Sequence, residues 1–197
     1  MPKLVLDLDQ TLISAEADEE YDFKKYQKKA LLFDFHDMDG YYLVFERPHL
    51  QEFLDYAFAN FDVSIWTAAT KDYALFIIDR IILAGKPERK LDWIFFSYHC
   101  DISEKLGNGT KDLSLLWDLY HLPGFNKNNT VILDDYDEVC ETQPKNCIIA
   151  KPFFFTDKNS EKDTFLKDLI PVLGNVKKHM ESGGENPGKK AKKYIKK

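Results

Sequence analysis

Apolar residues recur along this chain in two rhythms. Residues 3–8, Val63–Trp66 and Thr130–Leu133 are nearly unbroken apolar runs of strand length, and a further one lies near Cys147–Ala150. Runs without polar alternation predict strands covered on both faces. Between them the spacing becomes helical. After Pro48, the positions Leu50, Phe53, Leu54, Ala57 and Phe58 predict a helix to about Asn60, and residues 71–84 a second one that Gly85 stops. Leu91–Tyr98 reads as a short strand, Lys111 to about Tyr120 as a helix, and a closing helix starts at about Glu161. The runs Leu31–Phe35 and Tyr41–Phe45 flank Asp37-Met38-Asp39-Gly40 and predict a hairpin flap, while the polar residues 14–29 read as a surface excursion. The alternation predicts an α/β fold, a Rossmann-like parallel sheet with helices on both faces and a small β-hairpin flap, whose ligand lies at the carboxyl ends of the strands. Thr67 lies 60 positions after Asp7 and Asp134 only 23 positions after Lys111, which leaves no room for a large cap domain.

Charge changes this picture at one end. The chain has 197 residues, enough for one domain with a full core, and a formal charge of −6. Residues 181–197 carry six Lys against Glu181 and Glu185, a net +4, which leaves −10 on the body. A body so acidic is a poor nucleic-acid surface. The boundaries expected are a folded domain over 1–178 and a basic, disordered tail over 179–197. Its Lys-Lys-Ala-Lys-Lys run is also the kind of segment that an import receptor or a nucleic acid binds, which would place the protein in the nucleus. The three cysteines, Cys100, Cys140 and Cys147, fit neither a zinc site nor a disulfide framework, so reduced thiols are expected. The start carries no secretory signal, and no segment reaches 18 apolar residues. A soluble, intracellular monomer without a membrane partner is expected.

The candidate chemistry lies where the strands end. Asp7, Asp9 and Thr11 sit at i, i+2 and i+4, so in an extended chain they project to one side. Two carboxylates there repel each other and resist desolvation unless a positive group, most simply Mg2+, stands between them. The plainer alternative is an Asp-rich turn that caps the next segment. Thr67 ends another strand, Asp134 and Asp135 a third, and Lys111 begins a helix between them. This set suits phosphoryl transfer, in which the oxygens are held in line and the equatorial charge is neutralised. The five histidines have no partner at metal-ligand spacing.

Asp7-Leu-Asp9-Gln-Thr11, Trp66-Thr67-Ala68-Ala69, Lys111-Asp112-Leu113-Ser114 and Leu133-Asp134-Asp135 resemble, in order, the four motifs of the haloacid-dehalogenase superfamily. The DxDxT form, Arg47-Pro48 ahead of the first helix and the KDLS context are similar to its branch of phosphatases acting on the C-terminal domain of RNA polymerase II. The resemblance covers about residues 3–175. It implies a phosphoprotein phosphatase with Asp7 as nucleophile through an aspartyl-phosphate and Asp9 as general acid and base. It also implies a phosphate-binding set of Thr11, Thr67, Ala68 and Lys111, and Mg2+ on Asp7, the Asp9 carbonyl, Asp134 and Asp135. The implied partner is a phosphoprotein such as the polymerase tail. Ser97 stands where the smaller polymerase-tail phosphatases have an Arg that grips substrate, and Asp135 where they have Asn. Two alternatives stay open: a phosphatase for small or nucleic-acid phosphates, and a non-catalytic scaffold that keeps the fold.

Overall fold

The computed structural model describes residues 1–17, 23–193 and 195. In chain order it contains β1 (Lys3–Leu6), β2 (Ile13–Ala17), α1 (Phe23–Ala30), β3 (Phe35–Met38), β4 (Tyr42–Glu46), α2 (Leu50–Asn60) and β5 (Asp62–Trp66). There follow α3 (Lys71–Ile77), β6 (Ile94–Phe95), α4 (Ser97–Lys105), β7 (Thr130–Asp134) and α5 (Asp137–Thr142). Last come β8 (Cys147–Ile149), α6 (Phe165–Glu181) and α7 (Pro187–Lys192). Five strands form a parallel sheet in the order β6-β5-β1-β7-β8, and β2-β4-β3 form a separate antiparallel sheet.

The apolar runs are unbroken because both faces of the large sheet are covered. Leu4 and Leu6 of β1, Val63 and Ile65 of β5, and Val131 and Leu133 of β7 pack with α2, α3 and α6. Val5, Trp66 and Ile132 point the other way, into a second core with α4 and α5. β1 lies at the centre, where Leu6 is in register with Ile65 on one side and Leu133 on the other. The carboxyl ends of β1, β5 and β7 therefore open at one edge, where a doubly wound sheet binds its ligand.

Several boundaries differ from the sequence expectation. The flap is three-stranded: Ile13–Ala17, with residues 14–17 expected within a surface excursion, pairs with β4, Ser14 opposite Phe45. Residues 18–22 of that excursion lie outside the described residues, and α1 follows them. In the hairpin, Asp39 (φ 50°) and Gly40 (φ 79°) form a turn that Tyr41 N–H closes onto the Met38 carbonyl. Two successive left-handed residues fix the register from the turn outward. The incoming strand is thereby Phe35–Met38, and Leu31 is left 73 % exposed. The strand expected over Leu91–Tyr98 shrinks to Ile94–Phe95, because α4 starts at Ser97, with the Phe96 N–H capped by His99 Nδ1 at 3.1 Å.

The tail differs most. α6 runs on to Glu181, so the expected boundary at 178 falls inside a helix. Residues 187–192, expected to be disordered, form α7, with Pro187, Gly188 and Ala191 buried. Gly188 N–H donates to the Lys145 carbonyl at 2.7 Å, and a Cβ on Gly188 would meet backbone atoms of Cys147 at 2.7 Å. The charge of this segment hid small residues that let the backbone come close. Tyr194, Lys196 and Lys197 lie outside the described residues. Cys140 and Cys147, expected as thiols, are joined in a disulfide, since the turn after α5 brings their Cα atoms to 5.1 Å; Cys100 is a buried free thiol. Among the described residues, no helix is long and apolar enough to cross a membrane.

Candidate active site

The site is built on the loop that leaves β1. Asp7 N–H donates to the Leu133 carbonyl at 3.0 Å, which seats Asp7 on the sheet edge. The chain then turns back, because Leu12 and Ile13 N–H both donate to the Leu8 carbonyl, at 2.8 and 3.2 Å, and Gln10 is left-handed at φ 60°. Asp7, Asp9 and Thr11 thus do not project together from an extended strand. The turn returns the Thr11 hydroxyl to 2.9 Å from Asp7 Oδ2 and 3.1 Å from Asp135 Oδ1, where its one proton serves either. It sends the Asp9 carboxylate the other way, where Oδ1 accepts from the Tyr73 hydroxyl of α3 at 2.5 Å.

Arg47 pins the loop from behind. Its buried guanidinium donates from Nη1 to the carbonyls of Thr11 (3.0 Å) and Lys151 (2.9 Å), and from Nε and Nη2 to both oxygens of Asp163 (2.9 and 3.0 Å). Only a planar fork of donors can serve all four acceptors at once.

Lys111 enters from the opposite side. It is 4 % exposed, and its Nζ donates to Asp7 Oδ1 at 2.6 Å and Asp134 Oδ2 at 2.7 Å. Its backbone is bracketed by Gln143, whose Nε2 donates to the Lys111 carbonyl at 2.6 Å and whose Oε1 accepts from Leu113 N–H at 3.0 Å. Carboxylate oxygens of Asp7, Asp134 and Asp135 lie within 4.8 Å of one another. Burial, then the charge of Asp7, holds the carboxyls of Asp134 and Asp135 above the usual range, although Lys111 opposes this. Burial likewise pushes Asp9 up to about 6, Asp7 adding to it while the Tyr73 hydrogen bond works against it. Burial disfavours the Lys111 ammonium, but Asp7 and Asp134 outweigh it and hold the group firmly charged. One ammonium cannot balance three carboxylates, and convergent hard oxygens with an excess of negative charge fit a divalent cation.

Thr67 directly follows β5, buried, with its N–H on the Phe95 carbonyl (3.0 Å) and its hydroxyl accepting from Ala69 N–H (3.1 Å). Ala68, between them, is exposed. Ser97 stands at the start of α4 beside this loop, its N–H on the Ala69 carbonyl at 2.9 Å. Tyr73 and Gln143 carry no sequence signal, since the first reads as one more apolar helix position and the second as a loop amide.

The sequence profile of the NLI interacting factor-like phosphatases matches residues 2–182. The chain is 47 % identical over 177 residues to the CTD phosphatase-like protein 355R of Invertebrate iridescent virus 6, covering 88 % of this chain and 97 % of that protein. Its counterpart from Invertebrate iridescent virus 3 is 43 % identical over 180 residues, covering 88 % and 96 %. The solved structure of Fcp1, an essential RNA polymerase II CTD phosphatase, shares the fold with a TM-score of 0.65 at 20 % identity, covering 98 % of this chain and 70 % of that one. The chain belongs to the NLI interacting factor-like phosphatases, the FCP-type branch of the haloacid-dehalogenase superfamily, and is a protein phosphatase.

Proposed function

We propose that this protein is a Mg2+-dependent serine/threonine phosphatase that works through an aspartyl-phosphate on Asp7. Its substrate is phosphoserine in the RNA polymerase II C-terminal domain or in a phosphoprotein of similar extended form. The observation that carries this reading is the state of Asp7, whose carboxylate is gripped at Oδ1 by Lys111 and approached at Oδ2 by Thr11, beside Asp134 and Asp135. A nucleophile fixed in this way has already lost the freedom it must give up to attack.

In the first step an Asp7 oxygen bonds to phosphorus, the bond from phosphorus to the serine oxygen breaks, and Asp9 gives that oxygen its proton. In the second, water attacks phosphorus, its proton passes to Asp9, and the Asp7–phosphorus bond breaks to return the carboxylate. An acid pushed up to about 6 can do both near neutrality. Lys111 neutralises the transferring group, Thr67 and Ala68 at the end of β5 complete the phosphate site, and Thr11 keeps Asp7 aimed. Asp7, the Asp9 backbone carbonyl, Asp134 and Asp135 would hold Mg2+, whose charge, when bound, offsets the repulsion between an anionic nucleophile and an anionic ester. The Asp9 carboxylate itself, turned toward Tyr73, stays free for proton transfer.

The substrate class is supported by the CTD phosphatases named among the relatives and by the small flap, which leaves an extended phosphopeptide room to enter. The test is phosphate release from phosphoserine peptides of the polymerase-tail repeat and from small phosphate metabolites. Faster, EDTA-sensitive release from the peptides, abolished in Asp7→Asn, is expected. Faster turnover of a metabolite, or full activity in Asp7→Asn, would overturn the reading.

A further inference from the structure

The chemistry above uses Asp9 but leaves its neighbour without a task. Tyr73 lies in the first turn of α3, its N–H directed at the Thr70 side chain that caps the helix. Its ring is buried, 8 % exposed, and stands edge-on to Tyr42 of the flap strand β4, with centroids 5.4 Å apart. Its hydroxyl reaches past the ring to Asp9 Oδ1 at 2.5 Å, a distance expected of an O–H bound to a charged acceptor. Among the described residues, the Asp9 carboxylate has no other hydrogen-bond partner. Asp9 sits in a turn next to left-handed Gln10, and the Tyr73 hydroxyl is the group that fixes one of its two carboxylate oxygens.

We propose that Tyr73 is a positioning residue: its hydroxyl holds the Asp9 carboxyl by Oδ1, so that Oδ2 alone carries the proton exchanged with the leaving oxygen and the attacking water. The proposal rests on the reading of Asp9 as general acid and base. A phenol that donates to Oδ1 suits both halves of the cycle, because Oδ1 accepts whether Oδ2 is protonated or bare. A phenol with its ordinary pKa of about 10 is a donor at working pH. The plainer account, that a buried Tyr has found any acceptor, predicts a different response to substitution.

An alkyl leaving group such as serine needs protonation, whereas 4-nitrophenolate leaves with little help, so the ratio of kcat/KM for the two esters reads the acid. Asp9→Asn should lose far more on a phosphoserine peptide than on 4-nitrophenyl phosphate, within the range of about 10²- to 10⁴-fold that general acid catalysis contributes. Tyr73→Phe, which keeps the ring and its contact with Tyr42, should widen the same ratio by about tenfold, a fraction of that contribution. In an Asp9→Asn background, it should widen the ratio no further. Equal losses on both esters, no loss on either, or an additive effect in the double variant would overturn the positioning role. If Asp9→Asn itself does not discriminate between the esters, the acid assignment fails first, and the two failures are distinguished.

Discussion

Lys111 Nζ stands 2.6 Å from Asp7 Oδ1, so the cation expected to meet the phosphoryl group is already paired with the residue expected to attack it. Both groups are buried and Asp134 shares the same ammonium, which makes Lys111 the counter-charge of the whole acidic cluster.

Lys111→Met should therefore cost stability as well as activity. Removing one member of a buried, hydrogen-bonded ion pair typically costs about 3–5 kcal/mol, because the remaining charges are left uncompensated. Urea unfolding in EDTA should show a loss of that size, and saturating Mg2+ should recover part of it by supplying the missing positive charge. An unchanged unfolding midpoint would mean that the cluster is balanced by something other than Lys111.

Asp7→Asn should move stability the other way. The substitution removes one of three mutually repelling carboxylates while keeping the side-chain volume, so the EDTA-treated variant should melt above the EDTA-treated wild type. It should also gain less from added metal. A ligand held at 100 times its Kd raises stability by about 2.7 kcal/mol, and a weakened site falls short of this at the same concentration. Differential scanning calorimetry with and without Mg2+ reads both effects.

A pH dependence follows for the metal-stripped protein. Asp9, Asp134 and Asp135 all hold protons more tightly in the fold than a free carboxyl does, Asp9 up to about 6. Between the ordinary carboxyl value of about 4 and the raised values, the native state binds more protons than the unfolded chain, so stability falls as pH rises through that window. The Tm in EDTA should be higher at pH 5 than at pH 7.5. Saturating Mg2+, which prefers the ionised carboxylates, should flatten or reverse that slope.

Gly188→Ala tests whether α7 belongs to the folded body. A Cβ there would lie 2.7 Å from backbone atoms of Cys147, and inserting an atom into packed structure typically costs about 1–3 kcal/mol. Trypsin should cut the Lys-rich segment after residue 188 sooner in the variant than in the wild type, with phosphatase activity little altered because the contact lies away from the acidic cluster.

How much of this was legible depended on how each residue signals itself. Asp7, Asp134 and Asp135 stand out because a charge at the end of an apolar run has few uses, Lys111 stands out through the motif order that it shares with them, and the parallel sheet follows from runs such as Val63–Trp66 that lack alternation. Tyr73 was not legible: an aromatic in an amphipathic helix satisfies the apolar pattern whether or not its hydroxyl has a partner. The strand Ile13–Ala17 was hidden because its sequence, Ile-Ser-Ala-Glu-Ala, is weakly apolar and owes its pairing to β4. Composition misread α7 and the Cys140–Cys147 pair alike, since both depend on tertiary approach to β8.

The central place of β1 has a consequence for biosynthesis. Leu6 leaves the ribosome well ahead of its neighbours in the sheet, Ile65 and Leu133, and Arg47 waits for Asp163. Until that late sequence emerges, the nascent chain exposes an apolar strand with two unpaired edges, a state prone to aggregation and slow to resolve. The catalytic loop cannot be pinned before Asp163 has been made, so a product that stops ahead of it should be inert and a natural client for chaperones.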